Sequence, residues 1–287
     1  MTKTIETLVE DIYGLFNEDG GHKSDPKRIE ELGHNLSRMV EQRLAEVRGD
    51  SYLRMSNLGK GDRQLWYDIK GGVPSDTLSA HTRIKFLFGD ILELLLIFLA
   101  EESGHVVTHK QEEVNVDGVV GHLDAVIDGV VVDCKSASSP SFKKFQAGGL
   151  QDNDPFGYME QLAGYVEATP DASGGGFLAI DKQLGHICFD YYDRDVLDTY
   201  RIRERISDIR EVLASDTEPD HCYTPVDDGA SGNQVLGTNC SYCPHKFRCW
   251  RDVNDGFGLR TFLYSNGPRY FTTVIKEPRV QELELNG

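Results

Sequence analysis

One stretch limits what this chain can become more than any other. Val130-Val131-Val132-Asp133-Cys134-Lys135 follows directly on Asp128-Gly129. Consecutive valines read as a buried strand, and Asp-Gly as the two-residue turn of a hairpin. Side chains alternate along a strand, so Asp133 and Lys135 share one face and Cys134 takes the other. On the strand before the turn, His122 and Asp124 share a face for the same reason. Closing the hairpin brings two carboxylates and an amine to one patch. An Asp-x-Lys pair alone is far more often an ordinary surface salt bridge, but charges at the end of a buried strand are uncommon without a purpose.

The rest of the chain supplies strands and helices around this hairpin. Val106-Val107, Val114 to Val116 and Leu123 to Ile127 are short β-rich runs, with Asp117-Gly118 as a second hairpin turn. A helix is predicted from about Thr82 to Glu102, stopped by Ser103-Gly104. Residues 137–154, with Pro140 and Gly148-Gly149, read as a loop. A helix follows over Tyr158 to Glu167. The glycines Gly174–Gly176 lead into strands at Phe177 to Ile180 and His186 to Tyr192, and residues 194–215 read as helical. Upstream, Ile29, Leu32, Leu36, Met39, Val40 and Leu44 recur at helical spacing. This order implies an α/β fold with a mixed central sheet flanked by helices. We read residues 1–49 as an N-terminal helical extension, 50–215 as the core, and 216–287 as a cysteine-stapled C-terminal lobe and tail.

Two carboxylates and a lysine on one patch suit phosphodiester hydrolysis. Carboxylates hold hard cations that polarise a phosphate and activate water. A lysine serves that water or stabilises the transition state. Gly121-x-x-Asp124 followed by Asp133-x-Lys135 resembles the core of the PD-(D/E)XK nuclease superfamily. Gly89-Asp90-Ile91-Leu92-Glu93 upstream and Gln161-Leu162-Ala163-Gly164-Tyr165 downstream are similar to further motifs of its RecB-type branch, in the same order. The resemblance spans Gly89 to Tyr165 and implies a restriction-endonuclease-like fold. It further implies a magnesium or manganese site held by Glu93, Asp124, Asp133 and the Cys134 backbone, with Lys135 serving the attacking water. Gln161 and Tyr165 lie on one helix face and serve either the site or packing. His122 reads as a metal-tuning group or as an ordinary hydrogen-bonded histidine.

Six cysteines in a chain without a signal-peptide pattern read as reduced. Cys134 and Cys188 fall on strands. Cys240-x2-Cys243-x5-Cys249, with Cys222 upstream, has the spacing of a structural metal site. The trio followed by Trp250 resembles the C-terminal iron–sulfur staple of RecB-like nucleases. In that family the fourth cysteine precedes the core. Here the matching stretch, Ser56 to Tyr67, has none, so Cys222 takes its place and both zinc and a four-iron cluster stay open. His221 and His245 are reserve ligands.

The net charge of −17 argues against bulk attraction to nucleic acid or anionic membranes, though not against a local basic track. For such a track we select Arg63, Arg83, Lys143 and Lys182, although any one of them alone reads better as solvated surface, with Arg63 having the best claim. No apolar run reaches the length of a membrane span, so we expect no membrane partner and a cytoplasmic location, in a host cell if the chain is phage-encoded. The resemblance implies a DNA exonuclease acting on linear duplex or single-stranded ends in recombination, repair or phage DNA metabolism, with a recombination partner protein or homo-oligomer compatible with that role. The alternative is a non-catalytic DNA-binding or recombination-partner protein on a nuclease-like fold.

Overall fold

The computed structural model describes residues 3–17, 21–46, 51–71 and 80–284. It contains two compact units, Met1–Gly59 with Leu78–Asp208, and Lys60–Thr77 with Ile209–Gly287. The expected junction at 49–50 lies outside the described residues. The segment following Lys60, which the sequence assigns to the core, belongs to the unit that carries the C-terminal lobe.

The first unit begins with helices α1 (Leu8–Asn17) and α2 (Pro26–Ala45). Helix α3 (Asp62–Lys70) belongs to the second unit, and α4 (Ala80–Glu102) returns to the first. Strands β1 (Val107–Thr108), β2 (Glu113–Val116), β3 (Val119–His122), β4 (Ala125–Ile127) and β5 (Val130–Ala137) follow. Then come α5 (Ser139–Gln146), α6 (Tyr158–Glu167), β6 (Gly174–Asp181), β7 (Ile187–Asp193) and α7 (Ile202–Ala214). Five strands form one sheet in the order β1-β4-β5-β6-β7. Only β5 and β6 run parallel, with Asp133 beside Phe177 and Lys135 beside Ala179. The sheet is therefore mixed and flanked by helices, as expected.

Both hairpin turns form. Asp117 and Asp128 take φ of 49° and 50°, and Gly118 and Gly129 take 80° and 83°. Two successive left-handed residues match the twist of the strands they join. Their pairing differs from expectation, because β2 and β3 form a separate two-stranded sheet. The chain leaves that ribbon at His122 and joins the main sheet at Ala125, so His122 and Asp124 do not share one strand.

One face of the sheet packs Ala125, Ile127, Val132, Leu178 and Ile180 against Leu8 and Ile12 of α1 and Leu96, Ile97 and Ala100 of α4. Helix α1 is thus part of the core rather than an appendage. His105, whose side chain is fully buried, ties it down, with Nδ1 2.6 Å from Asp128 Oδ2 and Nε2 3.2 Å from Asp11 Oδ2. The apolar positions of α2 behave differently. None is buried, and Leu32 and Met39 line an open groove of about 1020 Å³ with Leu94, Ile97 and Phe98 of α4.

Two local readings are corrected. Residues 139–146 form α5 rather than loop, because Pro140 falls in the first turn, where its missing N–H costs nothing, and Phe142 and Phe145 bury one helix face. Gly174–Gly176 lie within β6 and are buried. A Cβ on Gly175 would come within 2.7 Å of Val166 and 2.8 Å of Leu162 of α6. The strand carries glycine there because the helix presses against it.

The second unit has a four-stranded antiparallel sheet of β8 (Val226–Asp227), β9 (Gln234–Val235), β10 (Arg260–Tyr264) and β11 (Gly267–Thr273), in the order β10-β11-β9-β8. Short helices α8 (Thr238–Tyr242) and α9 (Lys246–Cys249) hold its cysteines. Its small core is Val235, Phe262 and Phe271. No helix among the described residues is long and apolar enough to cross a membrane.

Candidate active site

The face of β5 opposite α1 and α4 carries Asp133 and Lys135, as the alternation requires. Asp133 is 3% exposed. Lys135 Nζ lies 2.5 Å from its Oδ2, so the buried carboxylate is paired directly with the ammonium. Gln161 Nε2 donates to Asp133 Oδ1 at 3.3 Å and to the Tyr165 hydroxyl at 3.3 Å. Tyr158, one turn before Gln161 on α6, places its ring 4.6 Å from Lys135 Nζ. The sequence reading missed Tyr158, although Tyr158, Gln161 and Tyr165 form a single i, i+3, i+7 stripe.

Asp124 sits in the break between β3 and β4. Its Oδ2 accepts the Cys134 backbone N–H at 2.6 Å. Glu93 comes from α4 and accepts from Gln111 Nε2, another residue the sequence did not mark. Burial and the neighbouring Asp133 push the Glu93 carboxyl up to about 7. Burial, then Glu93 and Asp133, raise Asp124 well above the usual carboxylate range. Lys135 is held above its ordinary value because these acids outweigh the cost of burying its charge. Burial and Asp133 raise Tyr165 to about 12. Glu93, Asp124, Asp133, Lys135, Gln161 and Tyr165 therefore form one cluster of interacting groups.

His122 is exposed and pairs with Glu113 at 3.6 Å, and it lines the same open groove as Glu93 and Gln111. The Cys134 backbone, the expected ligand, lies within the cluster, its N–H bonding Asp124, while its thiol packs at the edge of the core, where burial raises its pKa. Arg83, Lys143 and Lys182 are exposed on α4, on α5 and just past β6. Arg63 is not free: its guanidinium bonds Glu218 and donates to the Pro219 carbonyl at 2.6 Å. Only 11% of that side chain is exposed, so its contacts hold the second unit together.

Within the second unit, Cys222, Cys240, Cys243 and Cys249 line one cavity of about 20 Å³ together with Tyr67 and Trp250. All six cysteines are free thiols. Burial and the neighbouring thiols push Cys240 up to about 12, and burial raises Cys249 to about 11. A Cβ on Gly61 would lie 2.5 Å from Cys222 Sγ, so only glycine lets this thiol reach the cavity. Both reserve histidines have other partners. His221 stacks on Trp250 at 4.0 Å and His245 bonds Asp68 at 2.7 Å.

Among the described residues, no three His, Cys, Asp or Glu side chains stand as a ready-made metal cage. The donor chemistry fits metals nonetheless. Three neighbouring carboxylates, with Glu93 and Asp124 both raised, suit a hard cation, and four thiols around one cavity suit zinc or an iron–sulfur cluster.

No protein-family profile matches the sequence, and no curated protein matches it. Among solved structures, the crystal structure of SSO0001 is similar at 19% identity and a TM-score of 0.43, over 74% of this chain and 93% of that chain.

Proposed function

We propose that this chain is a divalent-metal-dependent DNA nuclease, acting as an exonuclease on DNA ends. The observation that carries the reading is the convergence of Glu93, Asp124, Asp133 and Lys135, three acids crowded around one largely buried ammonium. Burying acids beside one another costs stability unless a positive charge joins them. Lys135 supplies one such charge.

Glu93, Asp124 and Asp133, with the Cys134 carbonyl, would hold magnesium or manganese. When bound, such a cation polarises the phosphate and lowers the pKa of water. Lys135 orients the attacking water and offsets the charge that develops on the phosphate oxygens. Gln161 keeps Asp133 in place through its amide, and Tyr158 packs its ring on the lysine so that the ammonium stays directed at Asp133. The order of these residues resembles the RecB-type branch of the PD-(D/E)XK nucleases, which supports DNA as substrate. Cys222, Cys240, Cys243 and Cys249 would hold a zinc ion or a four-iron cluster in a structural role.

The test is incubation of linear duplex and single-stranded DNA with the protein and Mg2+ or Mn2+. Release of nucleotides that stops on chelation is the expected result. Intact DNA with metal-loaded protein would contradict the proposal and leave DNA binding without catalysis.

A further inference from the structure

The first half of α4 takes no part in this chemistry, yet its surface is unusual. Ile84, Phe86 and Phe88 are 52%, 47% and 55% exposed. At 100° per residue these side chains divide between two faces of the helix. Phe86 stands seven residues before Glu93, so it shares Glu93's face about 10 Å along the axis. Arg83 continues the same stripe about 15 Å from Glu93. Ile84 and Phe88 point to the opposite side.

Charge along the stripe is arranged to suit an anion. Asp90 is the acid between Phe86 and Glu93, and Arg43 of α2 occupies its carboxylate with a two-pronged pair, at 2.5 Å and 2.9 Å. Arg83 is exposed and makes no ion pair or hydrogen bond among the described residues. In a chain of net charge −17, an unpaired arginine in line with an exposed aromatic ring and a carboxylate site is a specific combination. Successive bases of an unpaired strand stack on aromatic rings while cations follow its phosphates. A duplex keeps its base faces covered and offers Phe86 nothing to stack on.

We propose that the stripe Arg83–Phe86 is a docking track for single-stranded nucleic acid, Phe86 stacking on a base and Arg83 meeting the adjoining phosphates. The inference rests on the nuclease reading for where the strand leads, but the binding itself is separable from catalysis.

The experiment is anisotropy of labelled oligo-dT with the full chain in EDTA, where hydrolysis is silent. Wild type binds oligo-dT more tightly than a duplex of equal length. Phe86→Ser weakens binding about tenfold, and Arg83→Glu weakens it while lowering the salt dependence. Phe88→Ser, equally exposed on the far face, changes binding less than about twofold, and all three variants unfold at the wild-type urea midpoint. No oligo-dT binding by wild type, no loss in Phe86→Ser, or equal losses in Phe86→Ser and Phe88→Ser would each overturn the track. So would dissociation of an oligomer by Phe86→Ser with DNA binding unchanged, which assigns the stripe to a second copy of the chain. Binding lost in Phe86→Ser, in a protein that never cleaves DNA, upholds the track and removes the nuclease reading. Cleavage with unaltered Phe86→Ser binding does the reverse.

Discussion

Replacing Glu93 with Gln should make the metal-free protein more stable, and increasingly so as pH rises. Gln keeps the shape and the acceptor that meets Gln111, but it cannot ionise. Glu93 titrates near 7 in the folded chain against an ordinary 4.5, because it is buried beside Asp133. A carboxyl whose folded pKa is raised contributes its full stability below the unfolded value and loses it as pH climbs through the folded value. Between 4.5 and 7 each pH unit therefore removes about 1.4 kcal/mol from wild type and nothing from Glu93→Gln. The variant's advantage comes to about 3 kcal/mol at pH 8 and less than about 1 kcal/mol at pH 5. Urea unfolding in chelator at both pH values, followed by far-UV circular dichroism, measures it. Both tryptophans, Trp66 and Trp250, lie in the second unit, so their fluorescence provides an internal control that should not move. Mn2+ at a hundredfold excess over Kd should stabilise only wild type, by about 3 kcal/mol, and so cancel the variant's advantage at pH 8. A variant that is less stable than wild type at pH 8, or whose advantage does not grow with pH, would refute the picture of crowded, repelling acids.

Four further outcomes follow from particular contacts. Gly121→Ala should destabilise the first unit by about 1–3 kcal/mol, because a Cβ there meets Met55 and Tyr165 at 2.7 Å. Gly89→Ala, with only Ser136 Oγ at 3.7 Å, should stabilise α4 by up to about 1 kcal/mol in the same melts. His105→Ala should cost about 3 kcal/mol in urea unfolding, since it removes the buried link between Asp128 and Asp11 of α1. Metal content of anaerobically purified protein should show zinc or iron with the matching absorption spectrum. Cys240→Ser should lose it and lower the Tm reported by Trp250, whereas Cys188→Ser should leave the metal in place.

Much of the site was legible because strand alternation is strict. Once Val130–Val132 is a buried strand, Asp133 and Lys135 must share a face, and the Asp128-Gly129 turn brings Asp124 alongside. Helix α6 was equally legible, its apolar spacing placing both ends at Tyr158 and Glu167. Other features depend on contacts far apart in sequence. Gln111 meets Glu93 from a turn with no pattern of its own. The segment following Lys60 joins the second unit because Arg63 and Tyr67 both bond Glu218, about 150 residues away. Helix α1 looked like an extension because an amphipathic pattern shows that a face is buried but not what buries it. His122 was misplaced for the opposite reason: alternation was carried through a break where the chain changes sheets.

The most direct test of the central claim is DNA hydrolysis by Lys135→Ala beside wild type, with Mn2+ affinity measured on the same preparations. We expect turnover on linear DNA to fall by at least about a hundredfold while Mn2+ still binds, because the carboxylates are untouched, and closed circular DNA to survive both proteins. Undiminished hydrolysis by a pure Lys135→Ala preparation would contradict the assignment of this cluster as the catalytic centre.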